Sequence, residues 1–348
     1  MKNLKKIKSI DGLKAISIMM IVLVHVAING QYKIDNFFFN AIVKNLSVFV
    51  ELFFILSAFG MCCGYYEKIK NKEIDLSSFY KKRIIKIWPY FALLIVLDLI
   101  ASGFSKKNLI EAFLDGTLLT GFLPNNHIEI AGIGWFLGVV FAFYLLFPFF
   151  VFMTWTKIRA WISLALFIAI KILGQSYLNV DGKVVPGFFL NWFYLFIIGG
   201  LIYLYKEDLV KIFNKKEYIL AILFALSFVG EVFVYQKGYT SVASNMVVLS
   251  FIILIIYCLV ERAPIMGNKV FVFLGGLCLQ IYLFHVVVFR AIDKIGLAHL
   301  VKNETGSLII TYILTLIVTI GVSYTIVKIF NLIKKYIFKK EKDATSEC

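Results

Sequence analysis

The chain has 348 residues, of which 61% are hydrophobic and 17% aromatic, and its mean hydropathy is +0.87. This composition excludes an ordinary soluble domain, whose interior could not hold so many apolar side chains. The formal net charge of +15 lies mostly in short segments beside apolar runs, so it indicates contact with anionic lipid rather than with nucleic acid.

Ten apolar segments of membrane-spanning length follow one another along the sequence. A further segment, residues 107–123, is amphipathic and predicts an interfacial or re-entrant piece instead of another crossing. The sequence therefore predicts an all-α transmembrane bundle of about ten helices. It forms one domain over residues 1–348, with a core at about 8–333 and a charged, disordered tail at 334–348. The ten segments lie near residues 12–30, 43–66, 84–103, 132–154, 158–175, 187–205, 216–235, 243–261, 271–293 and 307–333.

The positive charges predict the orientation of this bundle. If the N-terminus is cytoplasmic, the inside segments hold 23 Lys and Arg residues and the outside loops hold 7. Short loops rich in Lys and Arg stay in the cytoplasm. Both termini are therefore predicted to be cytoplasmic, which requires an even number of crossings.

The first span carries two ionisable residues, Lys14 and His25. They are 11 residues apart, so they project from one stripe of a helix and stand about 16 Å apart along its axis. Lys14 is open to two interpretations, a side chain that reaches to the headgroups or a cation that binds an anionic substrate. His25 is either a hydrogen-bonded bundle histidine or a general base.

The second and third spans add further charges. Glu51 lies in VELFFILSAFG, where it would orient an imidazole, pair with Lys14 or form a structural ion pair. Arg83 and Lys86 belong to the basic stretch KKRIIKIWPY before the third span. That stretch either only enforces orientation or binds an anionic donor such as the phosphates of coenzyme A.

The later spans supply weaker candidates. Trp135 and Tyr144 lie in GWFLGVVFAFYLLFP and are consistent with an interface residue and a packing residue. His285 in IYLFHVVVFR is either part of an active site or a helix–helix hydrogen-bonding group, whereas His127 and His299 lie in outside loops. The five cysteines have no zinc-ligand spacing, so no metal site is predicted.

Five segments in this order resemble the acyltransferase 3 family of integral-membrane acyltransferases. The likeness runs from Ile10 to about Phe330, with Lys14 and Lys86 where the family usually has Arg and Ala58 where it usually has Gly. The five segments are IDGLKAISIMMIVLVH, VELFFILSAFG, KRIIKIWPY, GWFLGVVFAFYLLFP and LGGLCLQIYLFH.

The resemblance implies transfer of an acyl group, usually acetyl, from cytoplasmic acyl-CoA to a hydroxyl of a cell-surface or lipid-linked carbohydrate. The protein would be a multi-pass protein of the bacterial cytoplasmic (inner) membrane, with no bound cofactor, no metal and no nucleic acid partner. The resemblance makes His25 the general base or a transient acyl carrier and places Glu51 and His285 beside it. Substrate or donor binding falls to Lys14, Arg83, Lys86, Trp135 and Tyr144, with Trp135 and Tyr144 lining or supporting the site.

Two other functions fit a basic polytopic chain. One is a flippase or polymerase of a glycan pathway, which would need a polar central path or a large outside loop. The other is a non-catalytic protein built on a degenerate acyltransferase scaffold. The short outside loops and the concentration of intramembrane charges in three spans favour the enzyme.

Overall fold

The computed structural model describes residues 7–124, 128–178, 185–238, 240–260 and 266–346. Within these ranges the regular structure is helical and contains no strand, so the predicted all-α class is confirmed. The α-helices are α1 (Lys8–Asn29), α2 (Phe49–Lys70), α3 (Leu76–Ser102), α4 (Lys106–Gly116), α5 (Trp135–Met153), α6 (Lys157–Leu178), α7 (Phe193–Phe213), α8 (Glu217–Gln236), α9 (Thr240–Leu259), α10 (Lys269–Gly276), α11 (Cys278–Lys294) and α12 (Glu304–Ser346).

The described helices include seven that are long and apolar enough to cross a membrane. They are α1, α3, α5, α8, α12, the region 38–70 that ends with α2, and the part of α9 at 242–259. Helices α10 and α11 are an eighth candidate, as a pair bent by 72° at Leu277. All ten predicted segments fall on or overlap helices. Helices α6 and α7 are not among the seven, because they carry more charged residues. The exact number of crossings and the side of the termini therefore stay predictions.

Two regions outside the predicted spans are also helical, namely α4 and the C-terminal segment. Helix α4 has 11 residues, which is too short to cross a bilayer, as its amphipathic pattern indicates. Helix α12 continues to Ser346, so it includes most of the segment predicted to be a disordered tail. Lys, Glu and Ala favour helix, and no Gly or Pro follows Gly321 to stop it.

Helix α1 lies in the middle of the bundle. It contacts α2, α9, α10, α11 and α12, and most of its apolar residues are buried. Helices α8 and α12 are largely exposed, as expected for helices that face lipid. Side chains on α1 are therefore placed to face several other helices at once.

Close backbone contacts hold α1 against the bent pair. A Cβ atom on Gly275 would overlap the carbonyl oxygen of Asp11, and one on Gly12 would overlap the carbonyl oxygen of Met266. Only glycine permits such an approach of two backbones. These contacts fix the start of α11 beside the first half of α1, where Lys14 lies.

Candidate active site

His25 of α1 and His285 of α11 form a direct pair. The Nδ1 atom of His25 lies 2.5 Å from Nε2 of His285, and the two ring planes differ by only 7°. His285 is completely buried and its Nδ1 lies 2.7 Å from the carbonyl oxygen of Tyr282. The structure thus joins two histidines that are 260 residues apart in the sequence.

The hydrogen-bond partners decide which ring nitrogen carries each proton. A carbonyl oxygen only accepts, so Nδ1 of His285 donates to Tyr282 and its Nε2, in the neutral ring, accepts. Nδ1 of His25 must then donate to His285. Neutral His25 is left with an unprotonated Nε2 atom, which is the form that a general base requires.

His25 lines a cavity of about 350 Å³, here called the histidine cavity, together with Asp98 of α3 and Arg290 of α11. The Nη1 atom of Arg290 donates to Oδ1 of Asp98 at 2.6 Å. The other carboxylate oxygen of Asp98 accepts from the backbone N–H of Ala131 at 2.7 Å. This ion pair therefore fixes the loop that leads into α5 and shapes the cavity wall.

A second cavity of about 360 Å³, the basic cavity, lies nearer the start of α1. It is lined by four predicted donor-binding residues, Lys14, Arg83, Lys86 and Tyr144, and by the first turn of α11. The N-terminus of a helix adds positive potential to that of the three cations. Among the cavities found in the described residues, this one is best suited to bind an anion.

Aromatic rings hold Arg83 in place. Its Nη2 atom donates to the Tyr65 hydroxyl at 2.6 Å, and the guanidinium lies 4.8 Å from the Tyr65 ring and 5.9 Å from the Tyr144 ring. Its Nε is buried without a hydrogen-bond partner in the described residues. Arg83 therefore retains an N–H donor that no described residue satisfies. Lys14, in contrast, pairs with Asp11 at 3.2 Å instead of with Glu51.

Tyr282 separates the two cavities. It lines the basic cavity, while its hydroxyl donates to the carbonyl oxygen of Ile133, which lines the histidine cavity, at 2.7 Å. Its ring centroid lies 5.9 Å from that of His285 and 5.0 Å from that of Phe136. A molecule that extends from one cavity to the other along this line would displace the Tyr282 side chain.

Two predicted site residues lie elsewhere. Trp135 begins α5 and lines a third cavity of about 190 Å³, away from the basic cavity. Glu51 lies near the start of α2, where its carboxyl group interacts electrostatically with Lys171 of α6. Its Oε2 atom has no hydrogen-bond partner in the described part of the chain. The site roles of Glu51 and Trp135 stay predictions.

The two remaining histidines lie outside this arrangement. His299 packs against Tyr32, with ring centroids 4.9 Å apart, and His127 lies outside the described residues. Within the described ranges, no group of three or more His, Cys, Asp or Glu residues is placed to hold a metal ion.

The sequence analysis did not single out Asp98 and Tyr282 as site residues. Asp98 is an acidic residue within an apolar run, and such residues in a span are costly enough to mark a site. Tyr282 carried no such signal because tyrosine is common in membrane helices.

The sequence profile of the acyltransferase 3 family, described as an acyltransferase domain, matches residues 7–328. The chain belongs to the acyltransferase 3 family. The match covers nearly the whole chain and includes both histidines and the basic cavity. No curated protein and no solved structure was found to match it. The acyltransferase assignment thus rests on the family and agrees with the spanning helices.

Proposed function

We propose that this acyltransferase 3 protein transfers an acyl group, acetyl in the first instance, from acyl-CoA to a hydroxyl of a cell-surface or lipid-linked carbohydrate. The observation that carries the proposal is the pair of His25 and His285, which presents an unprotonated His25 nitrogen. A carbohydrate hydroxyl needs such a base to become a nucleophile.

The basic cavity is the proposed site of the donor. Coenzyme A carries phosphates, which Arg83, Lys14 and Lys86 attract, and Arg83 has a buried N–H without a hydrogen-bond partner in the described residues. The excess of Lys and Arg on the same side of the predicted topology supports a position of this cavity toward the cytoplasm. A bacterial cytoplasmic membrane would then supply acyl-CoA from inside the cell.

The transfer is a single exchange at the thioester carbonyl. The acceptor oxygen attacks the carbonyl carbon while its proton passes to Nε2 of His25. The carbon–sulfur bond then breaks, and the leaving coenzyme A thiolate takes the proton from His25. An ester and the free thiol of coenzyme A are the products.

His285 acts as a positioning residue in this scheme. When His25 gains a proton, His285 still accepts the hydrogen bond from its Nδ1 atom, which stabilises the positive charge. The thioester reaches His25 only past Tyr282, so the proposal requires that side chain to turn aside when the donor binds.

The division between the cavities also supports acyl transfer over glycan transport. A flippase needs a polar path wide enough for its glycan, whereas in the described residues Tyr282 and Ile133 divide the basic cavity from the histidine cavity. A thin acyl arm requires a much smaller opening than a sugar.

Gene deletion followed by mass spectrometry of surface glycans tests the proposal. We expect loss of an O-acyl group, restored by the wild-type gene and not by His25→Ala at equal membrane abundance. Full restoration by His25→Ala would refute the catalytic role. Lost or shortened glycan, instead of unacylated glycan, would indicate a flippase or polymerase.

A further inference from the structure

The cavity that Trp135 lines, here called the tryptophan cavity, adjoins the histidine cavity. Ala131 and Gly132 line both, so the two spaces meet along one stretch of the loop before α5. Asp115 and Thr120 line the tryptophan cavity on the side of α4. The two cavities are therefore neighbours, separated only by this stretch of backbone.

Asp115 is the unusual residue of the tryptophan cavity. Its side chain is only 2% exposed, and its Oδ2 atom has no hydrogen-bond partner among the described residues. A buried carboxyl oxygen without a hydrogen-bond partner is costly and is rarely kept without a ligand or a special role.

The neighbouring carboxylates are occupied, unlike Asp115. Glu111 accepts from the backbone N–H groups of Glu129 at 2.9 Å and Ile130 at 3.1 Å. Asp98 accepts from Ala131 and from Arg290. The two acids hold the loop and leave Asp115 as the carboxyl available to a molecule in the tryptophan cavity.

Trp135 supplies an aromatic surface in the same cavity. Its ring packs among Phe54 and Trp192, with centroids 6.4 Å and 6.3 Å away, so its position is fixed. A fixed aromatic ring and a buried carboxyl oxygen without a protein partner form a site for an amphipathic ligand rich in hydroxyl groups.

We propose that Asp115 and Trp135 form a subsite for the sugar unit next to the one that is acylated, with Asp115 hydrogen-bonded to its hydroxyls. This inference rests on the proposed function.

Kinetics with the purified protein in nanodiscs test the subsite. The donor is radiolabelled acetyl-CoA, and the acceptor is the producing cell's own surface glycan after base treatment to remove its O-acyl groups. We expect Asp115→Ala to raise the acceptor KM about tenfold, since a hydrogen bond to the sugar is lost. The donor KM and the slow acyl transfer to water should not change.

Three further variants make the result specific. Asp115→Asn should raise the acceptor KM less, because the amide retains a donor and an acceptor. Trp135→Leu should raise it more than Trp135→Phe, which keeps a ring. Glu129→Gln, an exposed acid on the same loop, is the matched control and should leave it unchanged.

The outcomes separate the subsite from the proposed function. If wild-type protein transfers no acyl group to the glycan, the proposed function itself fails. If wild-type protein is active and Asp115→Ala leaves the acceptor KM unchanged, the subsite alone is wrong. An equal loss of activity toward glycan and toward water would also overturn it, because that result indicates a structural role. Asp115→Asn decides the question if Asp115→Ala does not fold.

Discussion

Lys14 of the basic cavity and His25 of the histidine cavity lie about 16 Å apart along α1. The two cavities differ in charge. The basic cavity has Lys14, Arg83 and Lys86, with one of these cations enclosed by aromatic rings. The histidine cavity has a neutral base beside a closed ion pair of Asp98 and Arg290. One end of the bundle is therefore suited to an anion, and the other to a neutral compound with hydroxyl groups.

The largest expected effect comes from removing the base in the histidine cavity. His25→Ala should lower kcat for acyl transfer by about 100- to 10,000-fold, the usual contribution of a general base. The measurement is transfer of label from acetyl-CoA to base-treated surface glycan. His299→Ala, in a neighbouring surface cavity, is the control and should remain close to wild type. If His25→Ala were as active as wild type, the histidine cavity would not contain the general base.

A second large effect is expected in the basic cavity. Arg83→Ala should raise the donor KM about 10- to 100-fold and leave the acceptor KM unchanged, because a desolvated guanidinium–phosphate contact is lost. Arg83→Lys should recover only part of this affinity, since ammonium lacks the planar fork. Lys82→Ala tests position: Lys82 is exposed and adjacent in sequence, but it does not line the cavity. A similar loss in Lys82→Ala would show that only overall charge matters.

The wall between the cavities gives a smaller effect. Tyr282→Phe removes the hydrogen bond to Ile133, which is worth about 1 kcal/mol, so the wall should open about fivefold more often. We expect faster loss of acetyl groups to water, measured as release of free coenzyme A without glycan. Tyr324→Phe, on the exposed surface of α12, should release it at the wild-type rate. An unchanged rate in Tyr282→Phe would mean that Tyr282 does not separate the two spaces.

The smallest effect concerns stability near the tryptophan cavity. Burial, together with the charges of Glu111 and Asp98, raises the pKa of Asp115 from 3.8 to about 8. The unfolded chain loses this proton at lower pH than the folded chain does, so Asp115 costs stability as the pH rises through that window. Asp115→Asn avoids this cost. Its Tm should exceed that of wild type by an amount that grows by about 3–5 °C between about pH 5 and pH 8. A constant difference would contradict the shifted pKa.

The sequence predicted the helices far better than their contacts. Apolar runs of spanning length need no long-range information, because lipid excludes any other arrangement of the backbone. The bond between His25 and His285 depends on how α1 and α11 pack, and no local pattern records that. The bend at Leu277 depends likewise on the close contact of Gly275 with α1.

The placement of Trp135 could have been predicted more closely. Trp135 and Tyr144 are nine residues apart on one helix, which separates them by about 13 Å along its axis. They therefore could not both line the same end of the bundle. The alternation of spans already placed the start of the fourth predicted span on the side of His25, where the structure has it.

Proteoliposomes with one protein orientation test whether the donor reaches the basic cavity from the face where α1 begins, while the glycan reaches the histidine cavity from the other face. Acetyl-CoA is supplied only on the face where α1 begins, and base-treated glycan only on the face where α1 ends. We expect acylated glycan in this arrangement, and none when the two substrates exchange sides. Equal transfer in both arrangements, or transfer only when both substrates share one face, would contradict it.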